Sequence, residues 1–259
     1  MAGREELRAT FDRDAELYHR ARPGYPDELF DELGDLLPGR RAIEVGPGTG
    51  QATAQLARRG YSVVAVELGA GLSAVARREL ARFPAVEVVH ADFERWQPPA
   101  EPFDLVLAAT SFHWIDPAVR YAKPARLLRE GGALAVISTH HVVPRDGDRW
   151  FVEVQDVYDR VTGDAGGAPG PPEDVPDDWP DLDTRLFEQA TTRRYLWERR
   201  YSADAYLDVL ATYSNNVARP PEERRRLFSE LRARIEERPD PSVRKAYLTL
   251  LQVARRTAL

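Results

Sequence analysis

The sequence contains no cysteine, which excludes disulfides and cysteine-ligated metal or iron–sulfur centres. No apolar run approaches the roughly 18–20 residues that a membrane helix needs. The opening segment, MAGREELRATFDRD, carries neither the apolar stretch nor the cleavage pattern of a secretory signal, so the expectation is a cytoplasmic protein. Lysine is almost missing: of 36 basic residues only Lys123 and Lys245 are lysines. Net charge is −6, and no clustered basic track is present of the kind that neutralises phosphates across a nucleic-acid footprint. The densest basic run, Arg224-Arg225-Arg226, lies beside Glu222 and Glu223, the pattern of a solvated helix face. What is there is ordinary for a globular enzyme-sized chain: 259 residues, 43% hydrophobic and 30% charged, enough for one large domain with a sizeable core.

Apolar residues at helical spacing predict a helix over residues 4–19 (Leu7, Phe11, Leu17) and another over 26–37 (Leu29, Phe30, Leu33, Leu36, Leu37). Arg22-Pro23-Gly24-Tyr25-Pro26 separates them, and Pro26 can open the second. Short apolar runs then alternate with helical segments. Strands are expected at Arg41–Val45, Ser62–Val66, Val86–His90, Phe103–Ala108 and Ala133–Thr139, with helices at Gln51–Arg59, 70–82 and Pro117–Leu128. This alternation predicts a parallel sheet covered on both faces. Residues 140–182 change character, with a helix expected at 147–161, then a Gly/Pro-rich stretch from Gly163 to Pro172 and an acidic one from Asp174 to Asp183. They read as an insertion over the sheet's rim, not a separate domain. Residues 185–201 suggest a strand or hairpin, with Tyr195, Trp197 and Tyr201 alternating with charged residues, followed by helices near 203–213 and 220–237. At Tyr247–Ala254, Leu248, Leu250 and Leu251 leave helix and strand both open.

The chemistry concentrates at the strand ends. In Glu44-Val45-Gly46-Pro47-Gly48-Thr49-Gly50 an apolar strand runs into glycine at every second position before a helix. Glycine permits positive φ and a close ligand approach, and a helix N-terminus presents unpaired N–H groups to an anion. Ligands of open α/β sheets bind beyond the carboxyl ends of the strands. The spacing is not the dinucleotide G-x-G-x-x-G, since Gln51 or Thr53 falls where the third glycine belongs. Glu44 would repel a pyrophosphate and suits a ligand bearing an ammonium group. Glu67, at the end of the second strand, can accept bonds from both ribose hydroxyls, or simply face water. Asp92 can accept from an adenine amino group with Phe93 beside the ring, or cap a helix.

Glu44-x-Gly46-x-Gly48-x-Gly50, Glu67 and Ala91-Asp92-Phe93 resemble the motif series of class I S-adenosylmethionine-dependent methyltransferases. Phe103 to Asp116, with its Phe112-His113-Trp114 triplet, and Tyr18-x-x-x-Arg22-Pro23-x-Tyr25-Pro26 are similar to the small-molecule branch that includes trans-aconitate methyltransferase-like enzymes. The likeness spans residues 11–139. It implies an α/β fold: a Rossmann-like, seven-stranded, mostly parallel sheet with helices on both faces and the last strand antiparallel. It implies a single domain as well, with lid helices in 1–36, a cofactor-binding core in 37–139, an inserted cap in 140–182 and sheet completion in 183–259. S-adenosylmethionine would be the cofactor. Glu44, Gly46, Gly48 and Gly50 would line its methionine part, Glu67 with Leu68 its ribose, and Asp92 with Phe93 its adenine. Ala108, Ala109 and Thr110–Trp114 would pass beneath the sulfonium, while Tyr18, Arg22 and Tyr25 would close over the cofactor, with Arg22 a candidate partner for its carboxylate. Tyr18, Phe112 and Trp114 are candidates for stabilising the cation.

If the acceptor is a hydroxyl, His113 is the first candidate for a base or positioning group, with His140 or His141 second. Adjacent strand residues face opposite ways, so His140-His141 makes a poor metal site. Phe151, Tyr158, Trp179 and Tyr195 could line an aromatic acceptor pocket, although core packing is the commoner use of such residues. The expected acceptor is a small molecule of specialised metabolism, methylated on oxygen, nitrogen, carbon or a carboxylate. The competing readings are an RNA methyltransferase and a non-catalytic module of the same fold. Against the first, Ala108-Ala109-Thr110-Ser111 stands where base methylators carry Asn/Asp-Pro-Pro-Tyr/Phe.

Overall fold

A computed structural model describes Asp12 and residues 14–37, 39–163 and 167–258, with the backbone alone for Gln189. The expected helix over 4–19 lies largely outside the described residues, including Leu7 and Phe11. Its visible end is α1, Ala15–Ala21, capped by Asp14, whose carboxylate accepts from Leu17 N at 2.8 Å. Then come α2 (Asp27–Asp35), β1 (Arg41–Val45), α3 (Gln51–Arg58), β2 (Ser62–Glu67), α4 (Ala70–Leu80), β3 (Val86–His90) and β4 (Phe103–Ala109). They are followed by α5 (Ala122–Leu127), β5 (Leu128–Val142), α6 (Trp150–Glu153), α7 (Gln155–Thr162), β6 (Phe187–Ser202), α8 (Ala203–Ala211), α9 (Ser214–Ala218), α10 (Pro221–Glu236) and β7 (Ser242–Arg256). Among the described residues no helix is long and apolar enough to cross a membrane.

The strands form one seven-stranded sheet in the order β3-β2-β1-β4-β5-β7-β6. β1 to β5 pair in parallel, with Val45 opposite Val66, Glu67 opposite His90 and Ala109 opposite Ile137. β7 runs antiparallel. Thr139 and Thr249 hydroxyls meet at 3.3 Å, whereas Arg255 reaches back to the Gly131 carbonyl, so numbers fall along β5 as they rise along β7. The same holds against β6, where Arg244 pairs with Glu198 and Thr257 N donates to Leu186 O. The seven-stranded, mostly parallel architecture with one antiparallel strand therefore stands.

The chain divides into two compact units. One, the glycine-loop unit, comprises Pro23–Thr139, Asp177–Tyr195 and Thr249–Leu259. Its central strands are buried on both faces, as parallel strands between helices must be. Ala42, Leu105 and Leu107 pack with Leu29, Phe30, Leu33 and Leu56 on one face, and Ile43, Val45 and Val106 with Phe103, Phe112 and Tyr121 on the other. The other, the aromatic unit, comprises Met1–Arg22, His140–Pro176 and Leu196–Leu248. It has its own core, including Trp150, Phe151, Tyr201, Tyr206, Leu227, Leu231, Ile235 and Tyr247. The segments read as cap and sheet completion thus share a core of their own, because the helices of 203–236 bury their apolar stripes beside Trp150 and Phe151.

Two of the expected helices differ from their expected extent. The helix expected at Pro117–Leu128 is confined to Ala122–Leu127, because Asp116 first holds a turn, its carboxylate accepting from Ala118 N at 2.8 Å. The helix at 147–161 is two helices that meet at Val154. Residues 187–202 form one long strand, one of the two forms expected there, and a short helix, α9, lies between α8 and α10 where no element was expected.

Candidate functional site

Within the glycine-loop unit the parallel register sets the ends of β1, β2, β3 and β4 side by side, and the candidate residues lie in the loops that follow. Gly46 N donates to Val66 O at 2.9 Å, which turns the chain sharply off β1. Gly46, Gly48 and Gly50 all have positive φ, of 66°, 60° and 91°. Two of them are also demanded by packing: a Cβ on Gly46 would sit 2.9 Å from Ser111 Cβ, and one on Gly50 would sit 2.7 Å from Leu80 Cδ1. Ser111 fastens its own loop to β1 by donating its hydroxyl to Val45 O.

Glu67 braces the loops. Its Oε2 accepts from Gly48 N at 2.9 Å and its Oε1 from Gly69 N at 2.8 Å. These two bonds fix both carboxylate oxygens at the end of β2, and a carboxylate there is an acceptor of the kind a ribose hydroxyl donates to. Leu68 beside it is an apolar side chain left 41% exposed, suited to a flat hydrophobic ligand. The exposed apolar surface, the acceptor pair and the positive-φ backbone fit an amino-acid nucleoside.

Glu44 is only 1% exposed, and its Oε2 accepts from Thr53 Oγ1 at 2.6 Å. Burial raises its pKa to about 7; the Thr53 hydrogen bond opposes the rise and the neighbouring Glu67 charge adds to it. Thr53 was not legible as a partner from sequence, though it lies nine positions on, in α3. Asp92 accepts from Glu94 N at 3.0 Å through one oxygen, while Phe93 is buried. The loop carrying both is held by Lys123, whose Nζ donates to the carbonyls of Phe93, Trp96 and Glu94 at 2.5, 2.6 and 3.4 Å and lies over the Phe93 ring. Desolvation lowers the Lys123 pKa. Sequence reasoning passed it over, although its rarity as a lysine was a usable signal.

After β4, Ala108 and Ala109 are buried and Thr110 adopts a left-handed φ of 53°, rare for a β-branched residue. Thr110 Oγ1 lies 3.1 Å from Tyr25 Oη, which brings Tyr25 to this loop. Phe112, His113 and Trp114 form a single 3-10 turn. His113 is exposed as a residue, with its ring 4.8 Å from that of Trp114; partial desolvation lowers its pKa, which favours neutral imidazole. Trp179 donates to Tyr121 Oη at 2.9 Å and packs edge-on to Phe112. Tyr195 belongs to the core around Leu29 and Phe30.

Tyr18 and Arg22 belong to the aromatic unit. There Arg22 donates to Thr212 O at 2.9 Å and its guanidinium lies 5.1 and 4.6 Å from the rings of Tyr18 and Tyr213. His141, in the same unit, packs against Phe151. Burial, with a contribution from the Lys245 charge, lowers its pKa to about 2, which removes it as a proton acceptor at neutral pH. Phe151 and Tyr158 also lie in this unit, in and beside its core.

Residues 43–136 match the methyltransferase domain family. An uncharacterized methyltransferase of Mycobacterium tuberculosis is 28% identical over 250 residues, covering 91% of this chain and 89% of that one. The solved structure of a candidate type II methyltransferase from Anaeromyxobacter dehalogenans superposes with a TM-score of 0.61 at 26% identity, over 90% of this chain and 97% of that chain. A phosphoethanolamine N-methyltransferase 2 of Haemonchus contortus, solved with phosphomonomethylethanolamine and S-adenosylhomocysteine, shares the fold at 14% identity and a TM-score of 0.54, over 95% of this chain and 58% of that one. These likenesses support the class and do not extend to a trans-aconitate-like branch.

Proposed function

We propose, from the premise that residues 43–136 form a class I methyltransferase domain, that the protein transfers a methyl group from S-adenosylmethionine to a small-molecule acceptor by in-line displacement. The observation that carries this reading is Glu67: a buried carboxylate at the end of β2, braced by Gly48 N and Gly69 N, beside an exposed Leu68. The bound cofactor supplies a methyl group on a cationic sulfur, a good leaving arrangement.

The chain's own residues do the rest. Glu67 takes the ribose hydroxyls, Asp92 the adenine amino group, and Glu44 faces the ammonium end. Phe112 and Trp114 place aromatic faces where a cation is stabilised, each worth roughly 0.5–2 kcal/mol. Holding the acceptor in line supplies roughly 7–11 kcal/mol of the barrier reduction. His113, neutral at working pH by its lowered pKa, accepts the proton at a ring nitrogen when the acceptor is a hydroxyl.

Calorimetric titration of the purified protein with S-adenosylhomocysteine, with NADH as control, tests the assignment. S-adenosylhomocysteine binds and NADH does not, and Glu67→Ala and Asp92→Ala each weaken binding by about tenfold or more, the loss expected for a charge-assisted hydrogen bond. Unchanged affinity in both variants, or no binding to the folded protein, overturns it.

A further inference from the structure

Both lysines of this arginine-rich chain are buried, and one of them holds the loop that carries the proposed adenine residues. Lys123 belongs to α5 in the glycine-loop unit and is 8% exposed. Its ammonium turns its donors on the carbonyls of Phe93, Glu94 and Trp96. Those carbonyls belong to a single turn of chain, in which Arg95 N and Trp96 N both donate to Asp92 O, at 3.0 and 2.7 Å. Asp92 starts the turn and Lys123 caps its end, so a carboxylate stands at the N–H side and a cation at the carbonyl side, as the aligned peptide dipoles favour.

One peptide group links the two charges. The Phe93 carbonyl takes the Lys123 ammonium at 2.5 Å, and the Glu94 N–H of the same group donates to Asp92 Oδ1 at 3.0 Å. A cation on the oxygen of an amide polarises it and strengthens what its N–H donates. The other cation at this carboxylate, Arg95, lies 3.8 Å from Oδ2 with its side chain 91% exposed, so water screens it. Burial and the Arg126 charge lower the Lys123 pKa, while the Asp92 and Glu94 charges oppose the fall. A second tie starts from the same turn. Glu94 Oε1 accepts from Asp116 N at 3.0 Å, Asp116 O accepts from Val119 N, and Val119 O accepts from Lys123 N. The backbone that carries the lysine is thereby fixed against the loop that the lysine holds.

We propose that Lys123 is the positioning residue for adenine recognition: through the Phe93–Glu94 peptide it sets the Asp92 carboxylate to accept from the purine amino group, and so selects a 6-amino over a 6-oxo purine. This rests on the methyl-transfer reading above and deepens it. A 6-oxo purine presents an oxygen where the amino group stood. A carboxylate held in place is left facing that oxygen, whereas a loosely held one swings to the neighbouring ring N–H.

The test is calorimetric titration of the full chain with S-adenosylhomocysteine and with S-inosylhomocysteine, its 6-oxo counterpart. Wild type binds the first about tenfold or more tightly, the scale for a recognised hydrogen bond left unmade. Lys123→Met reduces that preference to about twofold or less, chiefly by weakening S-adenosylhomocysteine. Lys123→Gln, which keeps a donor for the carbonyls without the charge, reduces it too and is the gentler change for the fold. In an Asp92→Ala background, adding Lys123→Met alters S-adenosylhomocysteine affinity by less than about twofold, since the lysine acts through the lost carboxylate. A lysine serving the fold alone weakens both ligands equally, in either background, and that result overturns the proposal. Amide exchange supplies a readout without ligand: in Lys123→Met the Glu94 N–H exchanges about tenfold or more faster while the β4 amides keep their rates, and an unchanged Glu94 rate also overturns the proposal. S-adenosylhomocysteine binding with a preference that Lys123→Met leaves intact sinks this inference and leaves methyl transfer standing. Binding of neither ligand to wild type sinks methyl transfer and the adenine role together, and the Glu94 rate then still shows whether Lys123 fixes the carboxylate.

Discussion

Glu44 is an acid folded into a place where its charge is poorly supported. Burial raises its pKa from 4.5 to about 7, with the Glu67 charge adding to the shift and Thr53 opposing it. The folded state therefore keeps a proton that the unfolded chain releases above pH 4.5. Stability falls as pH rises through the window from 4.5 to about 7, and the penalty is complete above it, at most about 3 kcal/mol. Glu44→Gln removes that slope, and urea denaturation at pH 5 and pH 8 measures it: wild type loses stability between the two, and the variant loses less by up to that amount. Equal losses would show that Glu44 ionises freely. A ligand ammonium beside Glu44 favours the ionised form, so S-adenosylhomocysteine affinity rises from pH 6 to pH 8 in wild type and stays flat in Glu44→Gln. The acid itself was legible because it precedes three alternating glycines; its strain was not, because it depends on Thr53, Glu67 and burial, which only the fold brings together.

Among the elements, the glycine turn shows how one residue type serves two purposes. Gly50 and Gly60 both end up left-handed, at φ 91° and 80°. A Cβ on Gly60 would meet nothing within 4 Å, whereas one on Gly50 would meet Leu80 Cδ1 at 2.7 Å. Gly60→Ala is therefore expected to cost about 1–2 kcal/mol from backbone strain alone. Gly50→Ala adds overpacking and is expected to cost about 2–4 kcal/mol. Equal losses in urea denaturation would mean that Leu80 swings aside without penalty. The central strands were readable because β1 and β4 are short apolar runs closed by turns. The later elements were less so. Leu248, Leu250 and Leu251 are all buried, so β7 lacks the alternation that marks a strand. Asp116 shortens α5 through a side-chain turn that periodicity does not register, and α6 and α7 separate at Val154 inside an uninterrupted helical pattern.

At the scale of the molecule, the two units are not successive in sequence. β5, β6 and β7 each begin in one unit and end in the other, dividing at Thr139, Tyr195 and Leu248. A strand cannot lose its pairing at one end without loosening the other, so the chain is expected to unfold in one cooperative step although it has two hydrophobic cores. The near-ultraviolet dichroism that Trp197→Phe removes belongs to the stacked Trp197–Tyr247 pair, with ring centres 4.6 Å apart, and reports on the aromatic unit, while the far-ultraviolet signal follows the helices and sheet throughout. The two melting curves coincide. S-adenosylhomocysteine at about a hundred times its Kd adds about 2.7 kcal/mol, which raises the midpoint by roughly 5–10 °C for a chain of this size. If the strands couple the units, both signals shift together, although the proposed cofactor residues Glu44, Glu67 and Asp92 all lie in the glycine-loop unit. A near-ultraviolet transition that stays put while the far-ultraviolet one moves would mean that the shared strands break at the unit boundary, and that the aromatic unit folds on its own account.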